Sequence, residues 1–192
     1  MTFLEMVDYY AGCSNLTEQE CHTPYFVPPG VLGLATFYAK SRYFSKPLPP
    51  SGIAELIKWV EIRQNDPNQP SNPNQFGAGG ALFDSYGGAL NRPAKDATAF
   101  CHRDALFHIQ SFGYWQPNSP PSLIDDNVTW LDGFYQAMVP YSNGEAYVNY
   151  IDPNLADWQQ AYYGSNLPRL RSIKTAYDPD DWAPMPEPIC AR

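Results

Sequence analysis

The sequence predicts an α+β fold in which an antiparallel β-sheet carries helices on one face. Strand-like and helix-like segments are interspersed along 192 residues without a β-α-β rhythm, which favours this class. The 20 prolines indicate many irregular loops, and the 14 tyrosines indicate a core or pocket in which phenol groups are hydrogen-bonded. A chain of this length can bury the core of one domain, so residues 1–192 are interpreted as a single domain.

The first half of the chain contains a short predicted helix before Gly12, then one predicted strand and one longer predicted helix. Aromatic and polar side chains alternate from Leu34 to Ser45, as is typical of a β-strand, and nearby prolines end the run. Ser51 then has the character of an N-cap for a helix over 51–64. One face of this helix is apolar and carries Ile53, Leu56, Ile57 and Val60. A loop rich in Pro, Asn and Gly follows at 66–80.

The middle of the chain predicts two strands and a helix. The strands cover 80–87 and 104–115, and they are separated by Pro93 and the polar stretch after it. A Pro-rich loop at 116–122 leads into a helix over about 126–139. The apolar face of this helix carries Trp130, Phe134 and Met138.

The last part of the chain predicts a strand, two helices and an irregular tail. The strand covers 145–150, and a helix begins near Pro153 with Asp152 as its cap. Gly164 interrupts this helix, and the tail from Asp178 is expected to run extended over the surface. The helix after the interruption places three apolar residues together: Leu167, Leu170 and Ile173.

Charge and composition exclude several classes of function. The net charge is −8 and no segment concentrates Lys or Arg, so neither a nucleic-acid nor a membrane partner is expected. The first ten residues lack the basic region of a signal peptide. N-glycosylation triplets at Asn15 and Asn127 nonetheless favour a secreted origin, and the compartment stays open.

The four cysteines and three histidines do not form a metal motif. Cys13 and Cys21 are close enough in sequence for a local bridge, and no metal ligand is predicted. His108 and Gln110 share one face of the predicted strand over 104–115. Tyr150 ends the predicted strand over 145–150, where a pocket mouth is common. By residue type alone, both positions are better explained as hydrogen-bonded core groups.

Five segments nevertheless resemble the substrate-binding half of berberine-bridge-type FAD-linked oxidoreductases. They are TFLEMVDYYAGC at 2–13, ECH at 20–22, AKSRYFSKPLPPSGIAELIKWVEIRQ at 39–64, LFDSYGGALNRPAKDATAFCHRDALFHIQ at 82–110 and EAYVNYIDPNLADWQQAYYGSNLPRLRSIKTAYDP at 145–179. The resemblance implies a sheet that covers a flavin ring and holds the substrate. It also implies FAD as cofactor, commonly tethered to an amino-terminal domain. We expect that domain to be absent from this chain and to act as its partner, beside a small-molecule substrate.

The same resemblance assigns roles to individual residues. It implies that Tyr150 is a phenol able to act as base, and that Gln110 carries the base or supports it. His108, Tyr147 and Asn149 are expected to contact substrate. Asn149 and Asp181 are expected near the flavin. The reaction implied is oxidation of an alcohol, a sugar or a secondary metabolite, with proton abstraction and hydride transfer to flavin.

Two departures from the family pattern keep an alternative open. Asp181 stands where the family has an asparagine, and a second anion about 4 Å from reduced flavin would cost about 4 kcal/mol at an effective dielectric near 20. Cys101 replaces the proline that usually precedes His102-Arg103. The alternative is a non-redox relative that binds a small molecule or assists a cyclisation without flavin. A third explanation is an interaction module without a small-molecule site.

Overall fold

A three-stranded antiparallel sheet organises the larger part of the structure, with strand order β1-β3-β2. The computed structural model describes residues 2–10, 13–14, 16–22, 36–67 and 79–180. Strands β1 (Thr36–Phe44), β2 (Gly79–Ser85) and β3 (Phe107–Trp115) confirm the three strands expected before residue 116. Strands β2 and β3 pair in antiparallel orientation. Gly79 lies opposite Gly113 at one end of the paired region, and Ser85 lies opposite Phe107 at the other.

The chain divides into two compact units, Met1–Thr36 and Phe37–Arg192. The first unit contains α1 (Phe3–Tyr10) and α2 (Glu18–Cys21). Thr17 and Glu20 form a capping box at the start of α2, and a disulfide joins Cys13 to Cys21. The expected local bridge is therefore confirmed.

Two helices pack against one face of the sheet, which confirms the predicted α+β class. They are α3 (Pro50–Gln64) and α4 (Pro121–Met138). Their shared core is built on Phe44, Ile109, Trp130, Leu131, Phe134 and Met138. Burying such side chains contributes roughly 1.5–3 kcal/mol each. Helix α4 begins earlier than expected because Pro121 suits a first turn, where no backbone donor is needed.

The predicted cap and apolar face of α3 are partly wrong. Pro49, not Ser51, occupies the N-cap position, and no side chain caps the helix. Ile53 and Ile57 are exposed, whereas Leu56 and Trp59 pack on the core. The reason is the close approach of α4 to Trp59: a Cβ at Gly133 would lie 2.1 Å from the Trp59 ring, so α3 turns this part of its surface inward.

Residues 145–150 do not form the predicted strand. The segment lies beside the free edge of β1, where Asn143 N donates to Tyr43 O and Tyr43 N donates to Glu145 O. The next donor, Tyr147 N, bonds to the Ser41 hydroxyl instead of a main-chain carbonyl, at 2.9 Å. Because the ladder is diverted to a side chain there, the backbone turns instead of continuing, and Tyr150 N donates back to Tyr147 O.

The predicted helix at Pro153 is also wrong at its start. The Asp152 carboxylate accepts the Asn154 amide in a turn, and α5 begins only at Trp158 and ends at Tyr163. Helix α6 (Leu167–Tyr177) confirms the helix expected after Gly164. The predicted extended tail beyond residue 180 and most of the loop at 66–80 lie outside the described residues.

Of the two predicted glycosylation triplets, only the one at Asn127 lies in the part of the chain that the structure describes. Asn127 is 1% exposed and donates to Leu123 O, so its glycosylation triplet is not an accessible acceptor. Asn15 lies outside the described residues. Within the described ranges, no helix combines the length and apolar character needed to cross a membrane.

Candidate functional site

The sheet face opposite α3 and α4 carries most of the predicted site residues. His108 and Gln110 lie on this face of β3, and cross-strand pairing places Asp84 and Leu82 of β2 opposite them. On β1, Tyr43 joins the same face, because its ring centroid lies 5.5 Å from that of His108. We call this surface the open face.

Rings surround the His108 imidazole at one end of the open face. Tyr150 stacks on it at 5.7 Å with an interplanar angle of 19°, and the Tyr147 and Tyr86 rings lie edge-on at 5.9 and 5.8 Å. Tyr43 lies beneath them and is fully buried. We call these five residues the tyrosine cluster. The structure thus brings Tyr150, Tyr147 and His108 together.

The His108 side chain is buried and its ring nitrogens lack hydrogen bonds. It is 1% exposed, and neither nitrogen has a hydrogen-bond partner. The nearest charged atom is Asp84 Oδ2, 3.4 Å from Nδ1. Burial lowers the pKa of His108, against an opposing effect of Asp84, so the ring is neutral at pH 7. An aspartate beside Nδ1 favours the proton there, which leaves Nε2 as an acceptor.

The phenol of Tyr150 is held in its neutral form. Burial is the main cause that raises its pKa, and the charge of Asp84 and the phenols of Tyr147, Tyr86 and Tyr114 raise it further. A base that works at neutral pH needs the opposite shift. Tyr150 can therefore donate a hydrogen bond as it stands, and it becomes a base only when a positive charge comes close.

Two further predicted residues, Gln110 and Asn149, lie next to the tyrosine cluster. Gln110 is buried on the same face as His108, two residues further along β3. Asn149 is exposed, and its Nδ2 donates to the Tyr147 hydroxyl at 2.7 Å. Asp181, the expected flavin contact, lies outside the described residues.

A buried ion-pair network fixes the turn that carries Tyr147 and Tyr150. Lys40 of β1 lies 2.9 Å from Asp132 and 3.5 Å from Asp152, which is 3% exposed. Burial opposes the charge of Lys40, but the two carboxylates and Tyr38 raise its pKa above the usual value. Tyr38 also donates to Asp152 at 3.2 Å. The turn is thereby tied to both β1 and α4.

A second network holds the segment before that turn. Glu145 accepts from Asn143 at 3.0 Å and lies 3.1 Å from His102 Nδ1, while the His102 ring stacks on Tyr43 at 4.2 Å. Burial is the largest single influence on the pKa of Glu145 and raises it, but His102, Lys95 and Asn143 together lower it by more, and the net shift is downward. The neighbouring Cys101 thiol is buried, which raises its pKa to about 11 and keeps it protonated.

Sequence reasoning missed Asp84, Tyr43 and Tyr86. Alternation along β2 places Asp84 and Leu82 on the same face, so the sequence pattern could have predicted an acidic side chain on that face. Its position opposite His108 depends on the strand register, which the sequence does not reveal. The geometry combines a neutral imidazole, an acid, an amide and several phenols on one uncovered sheet surface.

Comparison with known proteins gives one consistent result. Residues 146–182 match the family model "Berberine and berberine like". The chain is 31% identical over 157 residues to "Uncharacterized FAD-linked oxidoreductase YgaK" of Bacillus subtilis, covering 82% of this chain and 32% of that protein. It is 29% identical to the FAD-linked oxidoreductase sorD of Penicillium rubens, with 94% of this chain and 35% of that protein covered. The chain thus spans about a third of the length of these relatives.

Solved structures agree with the sequence relatives. BBE-like 1 of Physcomitrella patens superimposes with a TM-score of 0.72 and 27% identity, over 98% of this chain and 37% of that one. Phl p 4, a grass pollen allergen with glucose dehydrogenase activity, gives a TM-score of 0.60 and 28% identity over 76% of this chain and 30% of its own. Both matches support the fold described above.

Proposed function

We propose, on the premise that the chain is berberine bridge enzyme-like, that its open face forms the substrate side of an FAD-linked oxidoreductase. The reaction is the oxidation of an alcohol, a sugar or a secondary metabolite. The observation that carries the proposal is the gathering of Tyr147, Tyr150, His108 and Gln110 on the sheet face away from the helices. Relatives named as FAD-linked oxidoreductases support the redox chemistry.

The open face fits a flavin ring as its cover. Phe37 and Leu82 on this face are 54% and 42% exposed, so their apolar surface is available to pack against the flat flavin ring. His108 also offers buried nitrogens without hydrogen bonds, which a polar ring edge or a substrate hydroxyl would satisfy. When bound, FAD supplies a two-electron acceptor for hydride. The rest of the FAD is proposed to be held by a flavin-binding domain or subunit that acts as the partner.

The residues of this chain would then orient the substrate and move one proton. Tyr150 donates a hydrogen bond to the substrate hydroxyl at rest and accepts its proton once a positive charge lowers the pKa of the phenol. Gln110 orients the hydroxyl with its amide, and His108 Nε2 accepts a second hydrogen bond. Asn149 holds the Tyr147 hydroxyl and thereby shapes the pocket wall.

Substitution of Tyr150 tests this proposal. In a preparation that contains the flavin-binding part, Tyr150→Phe should lower turnover of an alcohol or sugar substrate by about 10²–10⁴, the usual contribution of a positioned base. Tyr177→Phe removes a phenol that is 87% exposed and serves as the control. Unchanged turnover in Tyr150→Phe would contradict the assigned role.

A non-redox binding protein is the second candidate. It is favoured by the surroundings of Tyr150, which raise its pKa and suit a phenol that binds without taking a proton. The visible absorption spectrum of the purified protein separates the two. Flavin bands indicate the oxidoreductase, and binding of a small molecule without flavin indicates the second candidate.

A further inference from the structure

We infer that the open face selects ring-bearing substrates that are positively charged over those that are negatively charged, and that Asp84 sets this preference. This inference rests on the proposed function, because it concerns the ligand of the same face. It specifies the charge of the substrate, which neither the family nor the names of the relatives define.

The first support is the position of Asp84. Its carboxylate is 50% exposed and lies 3.4 Å from the His108 ring, in the cross-strand position directly opposite. It also acts on Tyr150, since its charge is one of the causes that raise the pKa of that phenol. Asp84 therefore lies close to the buried His108 ring and also acts electrostatically on Tyr150.

The second support is the chemistry of the imidazole behind Asp84. His108 is buried and lacks hydrogen-bond partners, and with its proton on Nδ1 it presents a lone pair on Nε2. Because the rings of the tyrosine cluster cover this acceptor, a ligand reaches it when a ring such as that of Tyr150 shifts, and an O–H or N–H donor then satisfies it. A carboxylate or phosphate has no proton to give, so it would leave Nε2 unsatisfied and face Asp84 as a like charge.

The third support is that nearby basic side chains make their contacts elsewhere. Lys95 pairs with Asp104 at 2.6 Å, and Lys40 pairs with Asp132 at 2.9 Å on the helix side. Arg42 donates to Gly144 O, and Arg103 donates to Leu90 O. Arg103 also lies 4.8 Å from the Phe100 ring, which separates it from the tyrosine cluster. None of the contacts of these four side chains turns a positive charge toward Tyr150.

A cationic substrate would also correct the weakness of Tyr150 as a base. Each charged or titratable group that acts on this phenol raises its pKa. A positive charge on the ligand has the opposite effect, because it stabilises the phenolate. The substrate itself then supplies the charge that the described part of the chain does not place there.

Three matched probes test the inference on the 192-residue chain. They are 4-(aminomethyl)benzyl alcohol, 4-methylbenzyl alcohol and 4-(hydroxymethyl)benzoate, which are cationic, neutral and anionic at pH 7. Backbone amide shifts in the NMR spectrum report where each probe binds and with what Kd. We expect the amine to bind about tenfold more tightly than the carboxylate at low salt, and the ratio to shrink as salt screens the charge.

Asp84→Asn should reduce that ratio to about threefold or less, since half-exposed charge pairs contribute modestly. Asp125→Asn makes the same change of charge at an exposed position of α4, and it should leave the ratio unchanged. Equal or tighter binding of the carboxylate, or an unchanged ratio in Asp84→Asn, would overturn the inference and leave the proposed function standing. If none of the probes shifts open-face amides, the proposed function fails as well.

Discussion

At the scale of single residues, the site depends on charges that are buried and paired. Lys40 and Asp152 are both almost inaccessible to water, and their pairing is one of the contacts that hold the turn that carries Tyr150 against β1. Taking ions out of water is unfavourable, so such a pair is sensitive to the loss of one partner. The same arrangement makes Lys40 a residue whose effect on the site acts through Asp152.

Removal of Lys40 should destabilise the fold. Lys40→Met leaves Asp152 buried without its cation, and we expect the free energy of unfolding to fall by about 3 kcal/mol. Lys58→Met is the matched control, because Lys58 forms an exposed pair with Glu55 on α3 and should cost less than about 1 kcal/mol. Urea denaturation measures both. Equal effects of the two substitutions would show that Lys40 is not part of a buried network.

Glu145 should contribute to the pH dependence of stability. Its folded pKa lies below the ordinary value of 4.5, so its contribution is complete above that value and is lost as the pH falls through the folded pKa. Glu145→Gln should therefore flatten the loss of stability below pH 4.5. Denaturant unfolding at several acidic pH values measures this. An unchanged slope in the variant would contradict the contribution of Glu145.

At the scale of elements, the packing of α3 on α4 depends on a single small residue. Gly133 allows the Trp59 ring to approach the α4 backbone, and Trp130 Nε1 donates to Trp59 O across the same contact at 2.8 Å. Glycine in a helix interior costs about 1 kcal/mol relative to alanine, so the contact must compensate for it.

Gly133→Ala tests this contact. Helix propensity alone predicts a gain of about 1 kcal/mol, whereas the clash with Trp59 predicts a loss of about 1–3 kcal/mol. We expect a net loss of stability in thermal or urea unfolding. Gln136→Ala, on an exposed position of the same helix, should be close to neutral. A stabilised Gly133→Ala variant would contradict the packing described.

The elements also show what the sequence could predict and what it could not. Alternation and apolar spacing predicted β1, β3 and α4, because a buried face imposes its period on the residues. The predicted strand at 145–150 does not form because the Ser41 hydroxyl accepts the hydrogen bond of Tyr147 N that a strand ladder would need. The sequence pattern contains no signal for this contact, whose partners are 106 residues apart. The pairing of Asp84 with His108 was hidden for the same reason.

At the scale of the whole molecule, the sheet has two unlike faces. One is filled by α3 and α4, and the other offers tyrosines, an imidazole and exposed apolar side chains. Strand β2 lies at the edge of the sheet, with Leu82 and Phe83 exposed on opposite faces. Sheet edges of this kind are normally covered by another helix, loop or strand. The relatives are about three times as long as the stretch that they share with this chain.

Amide hydrogen exchange tests most directly whether the open face is the working surface of this chain. Exchange should be compared between the chain alone and a preparation that also contains the flavin-binding part with FAD. We predict added protection in β2 and in residues 145–152, with little change in α3. Protection confined to α3 and α4, on the opposite side of the sheet, would contradict the account.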